Sequence, residues 1–97
     1  MVTVPGTVKT VDNYAFAFTS ADYITFREGV KVLGNSVFSD AYVKKVHFPE
    51  SLTKIGNGIM DTEEGLSGAR IYVKKGSLAY KYFKGNPPYG DFKLIVE

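Results

Sequence analysis

Apolar residues return along this chain at a spacing that neither a single helix nor a single strand explains. Counted from Val2, they stand at offsets 0, 2, 6, 9 and 14: Val2, Val4, Val8, Val11 and Phe16. The same offsets from Ile24 give Ile24, Phe26, Val30, Leu33 and Phe38, and from Val46 they give Val46, Phe48, Leu52, Ile55 and Met60. The starts fall at 2, 24 and 46, a period of 22 residues, and a fourth start at Ile71 follows the third by 25. Self-similarity at a period of this size is the mark of a solenoid, in which each unit buries its apolar edge only by stacking on the next.

Each offset predicts a local structure. The apolar pair at 0 and 2 is a short strand with both side chains on one face. Pro5-Gly6, Glu28-Gly29 and Pro49-Glu50-Ser51 then bend the chain, because proline fixes φ and glycine admits unusual dihedrals. A second extended piece runs over 8–11, 30–33 and 52–55. Asp12-Asn13, Gly34-Asn35 and Gly56-Asn57 turn it again, being residue types that tolerate left-handed backbone. The stretch around Phe16, Phe38 and Met60 is too short for a full helix and predicts a single helical or 3₁₀ turn.

The expected fold is a mostly β repeat solenoid, right-handed, with short parallel strands, three full repeats and the start of a fourth. The template fails after Val73, where Ser77 stands at the offset of 6. Ser77 is a favourable N-cap residue. Leu78 to Lys84 reads as a short helix stopped by Gly85, and Phe92 to Val96 as a final strand. Residues 1–76 are therefore assigned to the repeats and 77–97 to a C-terminal cap, which an array needs to stay soluble. Met1 leads directly into a repeat strand, so the first coil is expected to expose apolar surface. That points either to the C-terminal end of a longer array or to self-association through the uncapped first repeat.

The segments ITFREGVKVLGNSVF and VHFPESLTKIGNGIM resemble the BspA-like leucine-rich repeat, whose unit reads roughly I-x-I-P-x-S-V-x-x-I-G-x-x-A-F. Val46, Phe48, Pro49, Ser51, Leu52, Ile55 and Gly56 follow that unit in order, as do Val2, Val4, Pro5, Val8, Val11, Ala15 and Phe16. The resemblance runs from Val2 to about Ser77. Two features depart from it. Thr19 and Ala41 stand where the family often has a cysteine, and Asp61-Thr62-Glu63-Glu64-Gly65 is an insertion that reads as an acidic loop. The resemblance implies a parallel-stranded solenoid in a bacterial cell-surface or secreted protein, in some members concerned with adhesion to host or neighbouring-cell proteins. It implies no enzymatic activity.

Composition narrows the picture. With 44% hydrophobic residues the chain can bury a core without staples, and it has no cysteine, which removes disulfides, thiolate metal sites and cysteine nucleophiles. A net charge of +2 is too weak to argue for nucleic acid or an anionic membrane. No apolar run reaches the length of a transmembrane helix, and no signal peptide is apparent. A cytoplasmic location is thus the alternative to the surface or secreted one that the resemblance implies.

If offsets 0 and 2 point inward, the residues between and beside them point outward. One outward column is Thr3, Thr25, His47 and Tyr72; the column before it is Tyr23, Lys45 and Arg70; the one after it is Pro5, Arg27, Pro49 and Lys74. Tyr23, Thr25, Arg27, Lys45, His47, Arg70, Tyr72 and Lys74 are the candidate binding face, suited to a protein partner that is acidic or accepts aromatic side chains. The same residues are also what a merely solvated sheet face, or a spacer with no ligand, would carry.

No other chemistry emerges. His47 has no nucleophile and orienting acid beside it. Asp61, Glu63 and Glu64 lack the spacing of a calcium loop, and Gly56-Asn57-Gly58 is not a phosphate loop. Lys74, Lys75, Lys81 and Lys84 lie among Tyr72, Tyr80, Tyr82 and Phe83. A cap helix that buries its aromatics and exposes its lysines accounts for them better than nucleic-acid binding does. Neither a metal nor a cofactor is implied.

Overall fold

The computed structural model describes residues 1–97 and winds them into a solenoid of about four turns. Along the chain come β1 (Val2–Val4), β2 (Thr10–Val11), β3 (Ser20–Phe26), β4 (Val32–Leu33), β5 (Tyr42–His47), β6 (Lys54–Ile55), β7 (Leu66–Val73), α1 (Leu78–Gly85) and β8 (Gly90–Val96). One sheet has the order β1-β3-β5-β7-β8 and the other β2-β4-β6, with all pairs parallel. Parallel neighbours one coil apart are what a 22-residue period dictates: Val2 pairs with Ile24, Ile24 with Val46 and Val46 with Ile71. The longer third interval is absorbed ahead of Arg70, in the 61–65 insertion, and β5 meets β7 in register over Lys45–His47.

Stacking puts equivalent side chains in columns. Ile24, Phe26, Val30, Leu33 and Phe38 of the second coil are all at most 2% exposed, and Val46, Phe48, Leu52 and Met60 of the third are also buried. Phe16, Phe26, Phe38 and Phe48 interlock along the axis. The Phe16 and Phe38 rings stack at 5.6 Å and Phe26 and Phe48 at 5.7 Å, while Phe26 and Phe38 meet edge to face at 5.9 Å. Such pairs add about 0.5–1.5 kcal/mol each to the gain from burial. The first coil is less complete. Val4 and Val11 are buried, but Val2 and Phe16 are only half-buried and Val8 is 38% exposed, because no coil covers them.

The third side of the coil is not the single helical or 3₁₀ turn expected around Phe16, Phe38 and Met60. Alternate backbone N–H groups divide their bonds. Those of Ala15, Ala17 and Thr19 close turns within the coil, onto the carbonyls of Asp12, Tyr14 and Phe16. Those of Tyr14, Phe16 and Phe18 donate to Asn35, Val37 and Ser39 of the next coil at 3.0, 2.9 and 2.9 Å. The second coil repeats this toward the third, from Ser36, Phe38 and Asp40 to Asn57, Ile59 and Asp61. A helical turn would bond only to itself, whereas this ladder ties each coil to its neighbour. It requires left-handed residues, which are Tyr14 and Phe18 in the first coil, Ser36 and Asp40 in the second, and Gly58 in the third.

Three of those positions, Tyr14, Ser36 and Gly58, lie one residue beyond the Asn13, Asn35 and Asn57 turns expected to supply them. The asparagines act through their side chains instead. Asn13 Oδ1 accepts from the Asn35 N–H at 2.6 Å, and Asn35 Oδ1 accepts from the Asn57 N–H at 2.9 Å. The glycines beside them serve close approach: a Cβ on Gly56 would stand 2.6 Å from the carbonyl carbon and oxygen of Gly34.

At the C-terminal end, Ser77 caps α1, its side chain accepting from the Tyr80 N–H at 3.2 Å. The helix buries Ala79 and Phe83, and Phe83 lies 5.2 Å from Phe48, continuing the aromatic column. The Tyr82 hydroxyl accepts from the Ile59 N–H at 3.3 Å, so the helix occupies the place another coil would fill. Gly85 is the last helical residue rather than the stop, and Asn86 is the C-cap. The final strand begins at Gly90, two residues earlier than Phe92, and pairs with β7 as the fifth strand of the main sheet. No helix is long and apolar enough to cross a membrane.

Candidate interaction face

The outward side chains of the main sheet are aligned by the same register that builds the core. Tyr23 pairs with Lys45, and Lys45 with Arg70. Thr3 pairs with Thr25, Thr25 with His47, and His47 with Tyr72. Strands in a sheet are about 4.8 Å apart, so each column is a row of adjacent side chains. All eight candidate residues are exposed or half-buried: Tyr23, Arg27 and Arg70 are exposed, and Thr25, Lys45, His47, Tyr72 and Lys74 are half-buried.

Two of the rows hold their own geometry. The rings of His47 and Tyr72 stack at 4.1 Å and 10°. The Lys45 ammonium lies over the Tyr23 ring at 5.1 Å, a cation–π contact worth about 0.5–1 kcal/mol at an exposed site. Both pairs are rigid, partly apolar platforms on a sheet whose backbone is fixed from both sides.

Treating the last strand as a separate cap missed three residues of this face. β8 lies beside β7, so Lys93 pairs with Arg70 and Ile95 with Tyr72, each extending a column by one strand. Glu97 comes next, and its carboxylate lies 3.8 Å from Lys74 Nζ and 3.9 Å from His47 Nδ1. The signal was present in the sequence: Leu94 and Val96 repeat the apolar pair of Ile71 and Val73.

The electrostatics of the face are uneven. Lys45, Arg70 and Lys93 occupy one row across three adjacent strands, and none of them forms an ion pair. Arg27 is also without one. The single acid on the face, Glu97, is taken up by Lys74 and His47. Like charges opposite one another on neighbouring strands are destabilising. The row therefore opposes folding rather than assisting it.

His47 stacks on the Tyr72 ring, lies 3.9 Å from the Glu97 carboxylate and has Thr25 beside it in the sheet. No three of the acidic and histidine side chains lie close enough together to hold a metal ion. The insertion does form an exposed acidic loop over Asp61–Glu64.

Neither the curated proteins nor the solved structures contain a match to this chain. A family model does match it, over residues 1–87, and its description is BspA type Leucine rich repeat region (6 copies). The matched span covers all the coils and the cap helix, and leucine-rich repeat families are typically non-enzymatic. With the parallel 22-residue register and most of the chain inside the match, this protein belongs to the BspA-type leucine-rich repeat family.

Proposed function

We propose that the chain is a non-enzymatic protein-interaction module that binds an acidic protein surface through its main sheet. The observation that carries this reading is the unpaired row of Lys45, Arg70 and Lys93, with Arg27 beside it. A spacer has no use for three neighbouring cations that repel one another. A binding face does, because a complementary partner relieves the repulsion and gains rate and specificity from it. The His47–Tyr72 stack and the Lys45–Tyr23 pair supply the flat aromatic contact that interfaces favour.

The binding is of the adhesion type, at a bacterial cell surface or in a secreted protein, with host or neighbouring-cell proteins as partners. Family membership supports that setting. We also propose that a second copy pairs with the outer edge of β1, the end strand of the main sheet, and lengthens it. Sedimentation that finds only monomer at high concentration would argue against that contact.

The main test compares the wild type with a triple variant, Arg27→Glu, Lys45→Glu and Arg70→Glu. Both are immobilised and exposed to solubilised surface proteins of neighbouring cells at moderate salt. The wild type is expected to retain acidic proteins that the triple variant releases. If the two retain the same set, the sheet face is not the binding surface.

A further inference from the structure

A groove lies away from the basic row, where three successive coils run into the starts of β3, β5 and β7. It encloses about 560 Å³, a volume in the range of ligand sites. Its lining includes Ala21, Ala41, Val43 and Leu66, an apolar set, of which the last three are at most 8% exposed. Two aromatics, Phe18 and Tyr42, line it as well, 78% and 68% exposed. An apolar surface ringed by polar groups on a small protein marks an interaction site.

Charge selects the occupant. Asp22, Asp40, Glu63 and Glu64 line the groove, and Lys44 is the only cation among its residues. Lys44 is already 3.7 Å from Asp22. Asp40 accepts from the Glu63 N–H at 2.8 Å and Glu64 from the Tyr42 hydroxyl at 3.5 Å, which leaves further lone pairs on both. The Glu63 carboxylate has no hydrogen bond or ion pair. Thr62 also lines the groove, and its hydroxyl is the one buried side-chain polar atom in the chain without a partner.

The geometry points to a second binding site, a groove that takes a segment of a partner polypeptide in which arginine or lysine alternates with an apolar residue. The apolar side chain rests on Ala41, Val43 and Leu66. The cations reach the carboxylates of Asp40, Glu63 and Glu64, and the Phe18 and Tyr42 rings offer faces to a guanidinium. The site is opposite in charge to the sheet face and does not depend on it.

The test is a titration of the ¹⁵N-labelled chain with an acetylated, amidated Ala-Arg-Leu-Arg-Ala peptide, with Ala-Glu-Leu-Glu-Ala as the control. The arginine peptide is expected to give saturable shifts at the amides of Ala41, Tyr42, Glu64 and Leu66, and the control none. Phe18→Ala and the pair Glu63→Gln with Glu64→Gln should each weaken binding tenfold or more while leaving the remaining amide spectrum in place. Equal binding by the variants, equal binding by the control, or shifts centred on Lys45 and Arg70 would overturn the assignment. So would the same groove shifts arising from unlabelled chain alone, since the occupant would then be a second copy.

Discussion

Phe38→Ala and Phe16→Ala delete the same ring from the same column, one coil apart, and the structure predicts unequal costs. Phe38 is 1% exposed and is enclosed by Phe16, Phe26 and Phe48 at 5.6, 5.9 and 6.4 Å. Its loss forfeits the burial of a phenyl ring and leaves a cavity that rigid strands on two sides cannot close, together about 3–5 kcal/mol. Phe16 is half-buried and meets only Phe26 and Phe38, with no coil beyond it. Its removal opens to solvent, so the cavity contribution falls away and about 1–2 kcal/mol remains. A domain of this size is stable by about 5–15 kcal/mol, so Phe38→Ala removes a large share of the total and Phe16→Ala does not. Urea unfolding followed by far-UV circular dichroism, with the denaturant slope checked for constancy, measures both. Equal costs, or a larger one for Phe16→Ala, would refute stacked columns that end at the first coil.

Two further substitutions probe the ties between coils. Gly56→Ala forces a methyl group onto the Gly34 carbonyl, which is backbone and has no room to give. It should cost more than about 2 kcal/mol, read as a drop of at least about 8 °C in Tm. Glu28→Ala removes the carboxylate that accepts from the Glu50 and Ser51 N–H groups of the next coil at 2.9 and 3.0 Å. Its exposure limits the loss to about 1 kcal/mol, and the amide protons of Glu50 and Ser51 should exchange faster with solvent while those of β7 are unchanged.

The features of this protein that could be read in its sequence are those governed by the period. Equal spacing forces equal register, so Val2, Ile24, Val46 and Ile71 fall in one row and the outward columns follow from them. Ser77 was legible for a local reason, since a serine before a helical run has one favoured use. The turn ladder was not, because its geometry is set between coils. Tyr14 and Phe18 adopt left-handed backbone against their own preference, held by bonds to Asn35 and Ser39. Their column still carried a hint in Gly58, one period beyond Ser36. Lys93 and Ile95 escaped because the helix interrupts the period before the last strand rejoins the sheet. The groove escaped for a different reason: the insertion read as an acidic loop, and only folding sets it beside Phe18 and Tyr42 of earlier coils.

On the proposed function, the cations of the main sheet are kept for a partner at a cost to folding. Arg70 is flanked by Lys45 on one strand and Lys93 on the other, and none of the three forms an ion pair. Arg70→Glu turns two like-charge neighbours into two opposite-charge pairs. At low ionic strength that should raise stability by about 0.5–1 kcal/mol, and the gain should shrink as salt is added. Urea unfolding of wild type and Arg70→Glu at 10 and 500 mM salt, where the Debye length is about 30 Å and about 4 Å, measures it directly. A variant that is more stable at low salt agrees with a row of charge kept for binding. A variant no more stable than wild type, or less stable, would contradict it and return those residues to the fold.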